Sequence, residues 1–219
     1  MTDFVTMKSR IADELARSDL ATFVGREINS AIKHYESTRF WWNEEKEFAL
    51  GNTANGTRYY ATPANFIRAD SLKINYNGAF YDLTPRIWEY IEHRDNQSTP
   101  TKGAPREYAV YNDNFRLFPV PDGTYAMLLS YLKRQTDLSG DTDSNGWTTF
   151  GEELIRTRAA RSIEIRYLRK PVAIAEAAQM AALGKHFLSN AECIAFESLK
   201  DEMQERLSTS RLRSKELDG

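Results

Sequence analysis

Leu72-Lys73-Ile74-Asn75-Tyr76-Asn77-Gly78-Ala79-Phe80-Tyr81-Asp82-Leu83 reads as a β-hairpin. Leu72, Ile74 and Tyr76 alternate with polar residues, the period of a strand with one buried face. Asn77-Gly78 suits a two-residue turn in which both central residues take positive φ, and Phe80 to Leu83 returns. Upstream, Glu47–Leu50 and Thr57–Ala61 flank Asn55-Gly56 and predict another hairpin. Downstream, Thr84-Pro85 reads as an N-cap and first helical residue, opening a short helix with Ile87, Trp88 and Ile91. Asp95 to Arg106 is a polar loop. Strands resume at Tyr108–Tyr111, Phe115–Phe118 and Thr124–Leu132, joined by turns at Asn112-Asp113-Asn114 and Pro121-Asp122-Gly123.

Outward from this β-rich middle the period changes to that of helices. Phe4, Ile11 and Leu15 share one face of a first helix, and Ser18-Asp19 offers an N-cap for a second. That second helix carries Leu20, Val24, Ile28, Ala31, Ile32 and Tyr35, then runs into Phe40-Trp41-Trp42. On the far side, a polar loop from Gln135 to Gly146 leads to Thr149 and Glu152, which stand at capping-box spacing. A third helix is predicted from there to about Arg169. After Pro171, a long alanine-rich fourth helix carries Ile174, Ala178, Ala181, Leu188, Ala195, Leu199 and Met203.

Apolar faces need partners, so the expected fold is α+β: an antiparallel helical bundle from the N- and C-terminal segments with an inserted antiparallel β-rich domain. The boundaries are 1–45 for an N-terminal helical hairpin, 46–134 for the insertion with one short helix, and 135–207 for the loop and C-terminal helices. A polar tail spans 208–219 and cannot bury enough to fold alone, so it is expected to be mobile in the free protein.

Composition narrows the function. With 219 residues, 41% hydrophobic and 27% charged, the chain can build a packed core. A net charge of −2 argues against a dedicated nucleic-acid binder, which needs surplus Lys and Arg to neutralise phosphates. Cys193 stands alone, which excludes an intrachain disulfide and reads as a buried helical residue. The first ten residues lack an apolar signal core, and no run of about 18 apolar residues suggests a membrane span.

Few motifs carry chemistry. Asp141, Asp143, Asn145, Gly146 and Glu152 match the spacing of a calcium-binding EF-hand loop. However, the residues before Asp141 read as strand and loop rather than an entering helix, Thr148 takes a normally apolar position, and Glu152 has a capping role. A polar loop leading into a capped helix, with weak or no calcium binding, is therefore the expectation. His34, His93 and His186 lack ligand spacing, and no phosphate loop or nucleophile elbow appears. Glu44, Glu45 and Glu47 are the carboxylates a glycosidase would need, but they read as solvated surface. Arg156, Arg158, Arg161, Arg166, Arg169 and Lys170 are opposed within their stretch only by Glu164; a solvated face, an inter-subunit contact and a DNA-facing channel wall are the readings. Phe40, Trp41 and Trp42 read as a core plug or a subunit interface.

The order of motifs resembles the head-to-tail adaptors, or tail accessory factors, of short-tailed phages. Arg10-Ile11-Ala12-Asp13-Glu14-Leu15 and Arg17-Ser18-Asp19-Leu20 resemble that family's N-terminal helical hairpin. Ile32-Lys33-His34-Tyr35-Glu36 leading to Arg39-Phe40-Trp41-Trp42-Asn43-Glu44 resembles its aromatic block. Thr62-Pro63-Ala64-Asn65-Phe66, Leu83-Thr84-Pro85-Arg86 with Trp88-Glu89, Leu117-Phe118-Pro119-Val120-Pro121-Asp122-Gly123 and Trp147-Thr148-Thr149 before Glu152-Glu153-Leu154-Ile155 resemble its strand and helix openings. The resemblance spans about Met7 to Arg169.

It implies a non-catalytic, cofactor-free virion protein, made in the host cytoplasm and placed at the head–tail junction. Copies form a twelvefold ring under the portal protein, extend the channel through which double-stranded DNA passes, help retain packaged DNA and receive the tail nozzle or tail-tube protein; no membrane is involved. Interface residues would be Trp41, Trp42, Arg158, Arg161 and, in the tail that grips the portal, Arg211, Leu212, Arg213, Lys215 and Leu217. The alternatives are a tail-associated cell-wall hydrolase or another virion structural protein.

Overall fold

A computed structural model describes residues 2–95 and 100–169. They are mixed α and β, and the chain divides into two units. One unit is drawn from both ends of the chain, with 2–43 and 135–169 described; the other is Glu44–Arg134.

The first unit holds helices α1 (Phe4–Leu15), α2 (Ala21–Tyr35), α4 (Gly146–Phe150) and α5 (Glu152–Arg166). Phe4, Met7, Ile11 and Leu15 face inward along α1, and Ala16, at φ 52, ends it by donating to Ala12 and Asp13 carbonyls. Gly25 lets α2 approach α1, because a Cβ there would stand 3.2 Å from the Phe4 ring. α1, α2 and α5 pack on one another, with Leu154, Ile155, Ala159, Ala160 and Ile163 supplied by α5. Phe40, Trp42 and Trp147 close one part of this core at ring separations of 4.6 to 5.3 Å. Asn43 fixes the corner beneath them: it accepts from the Phe40 amide and donates to the Glu36 and Thr38 carbonyls.

The second unit is a β-sandwich. Its strands are β1 (Glu44–Asn52), β2 (Tyr59–Ala61), β3 (Phe66–Tyr76), β4 (Ala79–Asp82), β5 (Thr84–Pro85), β6 (Glu107–Tyr111), β7 (Asn114–Phe118) and β8 (Ala126–Lys133), with helix α3 (Trp88–Asp95). One sheet runs β1-β8-β3-β4 and the other β2-β7-β6-β5. Leu72, Ile74, Met127, Leu129 and Tyr131 meet Tyr108, Phe115 and Leu117 between them. Ile91 of α3 packs with Ala109 and Phe118 on the second sheet. The two clearest hairpins form as the sequence indicates: Asn77 and Gly78, and Asn112 and Asp113, all take positive φ.

Several local expectations are corrected. β1 and β2 do not pair, although Asn55-Gly56 turns: β1 joins β8 and β2 joins β7. Thr53 diverts the chain between sheets, its amide donating to the Tyr125 carbonyl and its hydroxyl to that of Gly123. Thr84-Pro85 is not a helix start but a short strand lying parallel to β6, so the unit is not wholly antiparallel. The Thr84 and Arg86 amides donate to Arg106 and Tyr108, so Pro85 sits where no donor is needed. Ser18-Asp19 does not cap α2; Asp19 is engaged by the Arg17 guanidinium instead, and that bond holds its carboxyl down at about 2. Nor do Thr149 and Glu152 form the capping box. Asn145 and Thr148 do, one short helix earlier. The third predicted helix ends at Arg166 rather than Arg169. The predicted fourth helix, the tail, Cys193 and His186 lie outside the described residues.

Candidate functional site

α2 and α5 enclose a groove of about 570 Å³ lined by Glu27, Lys33, His34, Arg158, Arg161 and Arg166, among others. Its charge follows from the packing. Glu27 occupies the apolar face of α2 and is 2% exposed, a position that demands full pairing of a carboxylate. α5 and the residue that follows it supply the pairing: Ser162 donates at 2.7 Å, Tyr167 at 3.2 Å, and the Arg166 guanidinium lies 3.4 Å away. The floor is thus neutralised from within. On the walls, Arg158 lies over the Tyr35 ring at 5.5 Å, Arg161 is 3.6 Å from Glu164, and Lys33 is 2.9 Å from Asp137. Cations outnumber carboxylates around the opening, which suits an acidic protein surface or a phosphate backbone.

The α5 arginines also gain partners that are far away in sequence. Arg156 pairs with Glu14 of α1, and Arg166 with Glu27 of α2. Trp42 is buried in the helical core, whereas Trp41 is only half-buried against it and packs edge-on to Trp42 at 4.5 Å. Of the two, Trp41 keeps surface for a partner. Arg211, Leu212, Arg213, Lys215 and Leu217, and also Lys170, lie outside the described residues.

The calcium candidates do not converge. Asp141 pairs with Lys8, Asn145 caps α4, and Glu152 takes a hydrogen bond from Thr2 and pairs with Arg10. Asp143 turns back on its own loop, accepting from the Ser139 and Gly140 amides, which hold its carboxyl below the usual range. Among the described residues, no group of three or more His, Cys, Asp and Glu is placed to hold a metal ion. Glu45 and Glu47 lie beside Lys133 and Lys73, respectively. No described helix is long and apolar enough to cross a membrane.

Sequence reading named Arg158 and Arg161 but missed Glu27, Lys33 and His34 as their neighbours across the groove. The available signal was Glu27 itself, a charge flanked on its helix face by Val24, Ile28 and Ala31. No curated protein matches the chain. The model of the SU10 adaptor protein family matches residues 2–192, and the chain belongs to that family.

Proposed function

We propose that this protein is a structural head-to-tail adaptor of a phage virion. It binds beneath the portal ring, extends the DNA channel, helps retain the packaged genome and offers the attachment site for the tail nozzle. Twelve copies form the ring, and the protein carries out no catalysis. Membership of an adaptor family over residues 2–192 is the observation that carries this reading. In it, the helices from both chain ends act as an antiparallel bundle and the sandwich as its insertion. The basic groove with Arg158 and Arg161, together with Trp41, meets the portal or a neighbouring copy. Arg211, Leu212, Arg213, Lys215 and Leu217 supply a second, tail-borne portal contact.

Cryo-electron microscopy of the tailed particle tests the reading. Twelve copies between portal and nozzle are expected. Absence of the protein from purified virions, or its presence only at a site remote from the portal, overturns it.

A further inference from the structure

We infer that the open flank of the sandwich is a peptide-binding groove that takes one extended segment of another protein as an added strand beside β4. The inference rests on this unit alone and not on the adaptor reading.

Two independent features coincide there. The first is an unguarded sheet edge. In the register Tyr76↔Ala79 and Ile74↔Tyr81, with the Leu83 amide donating to Leu72, alternate residues of β4 face β3. The main-chain groups of Phe80 and Asp82 therefore point outward, and no described residue bonds them. The other three edges are protected. β1 carries two register shifts with Glu47 and Gly51 at positive φ, β2 has three residues, and β5 has two, one of them Pro85. β4 has four residues in regular register, no proline and no lysine, and exposes Phe80 and Tyr81 at 45% and 54%.

The second feature is a cleft of about 1040 Å³ alongside that edge. Tyr81 and Asp82 line its β4 side, Leu83 and Phe118 are buried residues at its wall, and Lys102 and Arg106 stand on the opposite loop. A strand laid against β4 would satisfy the outward amides and carbonyls, and its alternate side chains would enter the cleft.

Charge selects the occupant. Arg106 makes no side-chain bond among the described residues, and Lys102 reaches only Asn55, at 3.4 Å. Of the other charges lining the cleft, Arg94 pairs with Glu107, Asp122 accepts from the Tyr125 hydroxyl, and Asp82 stands across from Lys73 in the β3–β4 register. The groove therefore asks for apolar residues alternating with at least one acid. A second copy meets this poorly, since its remaining edges are guarded and its β4 brings only Asp82.

A random seven-residue peptide library panned against the full chain provides the probe. Enriched sequences should alternate apolar residues with an acid. A labelled consensus peptide should bind at least tenfold more weakly to Phe80→Pro, which removes an outward donor without touching the β3 ladder. It should lose at least tenfold again to Lys102→Glu/Arg106→Glu, whose exposed positions leave folding intact by circular dichroism. Lys46→Ala, on the opposite edge, should bind as the parent does. Failure to enrich any such peptide, binding that survives both variants, or a consensus matching this chain's own sequence overturns the inference.

Discussion

Gly146 shows how tightly single residues are held in the helical unit. A Cβ at this position would lie 2.6 to 2.8 Å from three atoms of Trp42, itself locked between Phe40 and Trp147. Gly146→Ala is expected to cost about 1–3 kcal/mol by overpacking, read as a lower urea midpoint, whereas Gly103→Ala, whose nearest neighbour is 3.9 Å away, should change little. In the sandwich, Arg116 is 1% exposed, with its guanidinium beside the stacked Trp88 and Tyr59 rings. Its guanidinium donates to Asp95 at 2.8 Å and lies against Glu92, which pins α3 to the sheet. Asp95→Ala should cost up to about 3–5 kcal/mol, because the buried guanidinium loses its buried carboxylate and keeps only the half-exposed Glu92. Asp95→Ala/Arg116→Met should be less destabilised than the sum of its single variants in chemical denaturation; simple additivity would mean that the pair is not coupled. Asp143 gives a pH signature. Its folded carboxyl titrates below the ordinary 3.8, so its contribution is complete above about pH 4 and is lost as pH falls through the folded value. Asp143→Asn should flatten the acid limb of the melting curve below pH 4 and leave its neutral region parallel.

At the scale of elements, the start of α4 separates two readings of one segment. Asn145 accepts from the Trp147 and Thr148 amides, and the Thr148 hydroxyl accepts from the Asn145 amide. Asn145→Ala should therefore cost about 0.5–2 kcal/mol. Glu152→Gln touches only the pairing with Arg10 and Thr2 and should stay within about 0.5 kcal/mol. The reverse order in thermal melts would restore the Thr149–Glu152 cap. The same segment shows why spacing alone misleads: both boxes have donors and acceptors three residues apart, and the burial of Trp147 selects the earlier start.

For the whole molecule, the testable quantity is incorporation into particles. Arg158→Glu/Arg161→Glu reverses the charge of the α2–α5 groove and should lower the copies per particle about tenfold, equivalent to ~1.4 kcal/mol of contact. Truncation after Leu207 should leave the melting temperature nearly unchanged and strongly reduce incorporation, because it removes Arg211, Leu212, Arg213, Lys215 and Leu217. Quantitative mass spectrometry of purified particles checks both. Full incorporation of the charge-reversed protein would remove the groove from the interface, and full incorporation of the truncated one would leave the tail idle.

Strand and helix identity were legible in the sequence wherever one face had to be buried. The Leu72–Leu83 and Tyr108–Phe118 hairpins and the apolar faces of α1 and α2 follow from periods of two and 3.6 and from turns that only Asn, Asp and Gly adopt readily. Arg158 and Arg161 were visible as a cationic run. Tertiary structure alone decided the rest. Whether β1 would pair with β2 or β8, whether Pro85 would start a helix or edge a sheet, and which box would cap α4 depended on partners from about 20 to more than 100 residues away. A local turn or cap contributes about 1 kcal/mol, less than the burial of a single large side chain, so distant packing overrules it. The same holds for the groove: Glu27, Lys33 and Arg158 become one surface only when α2 and α5 meet.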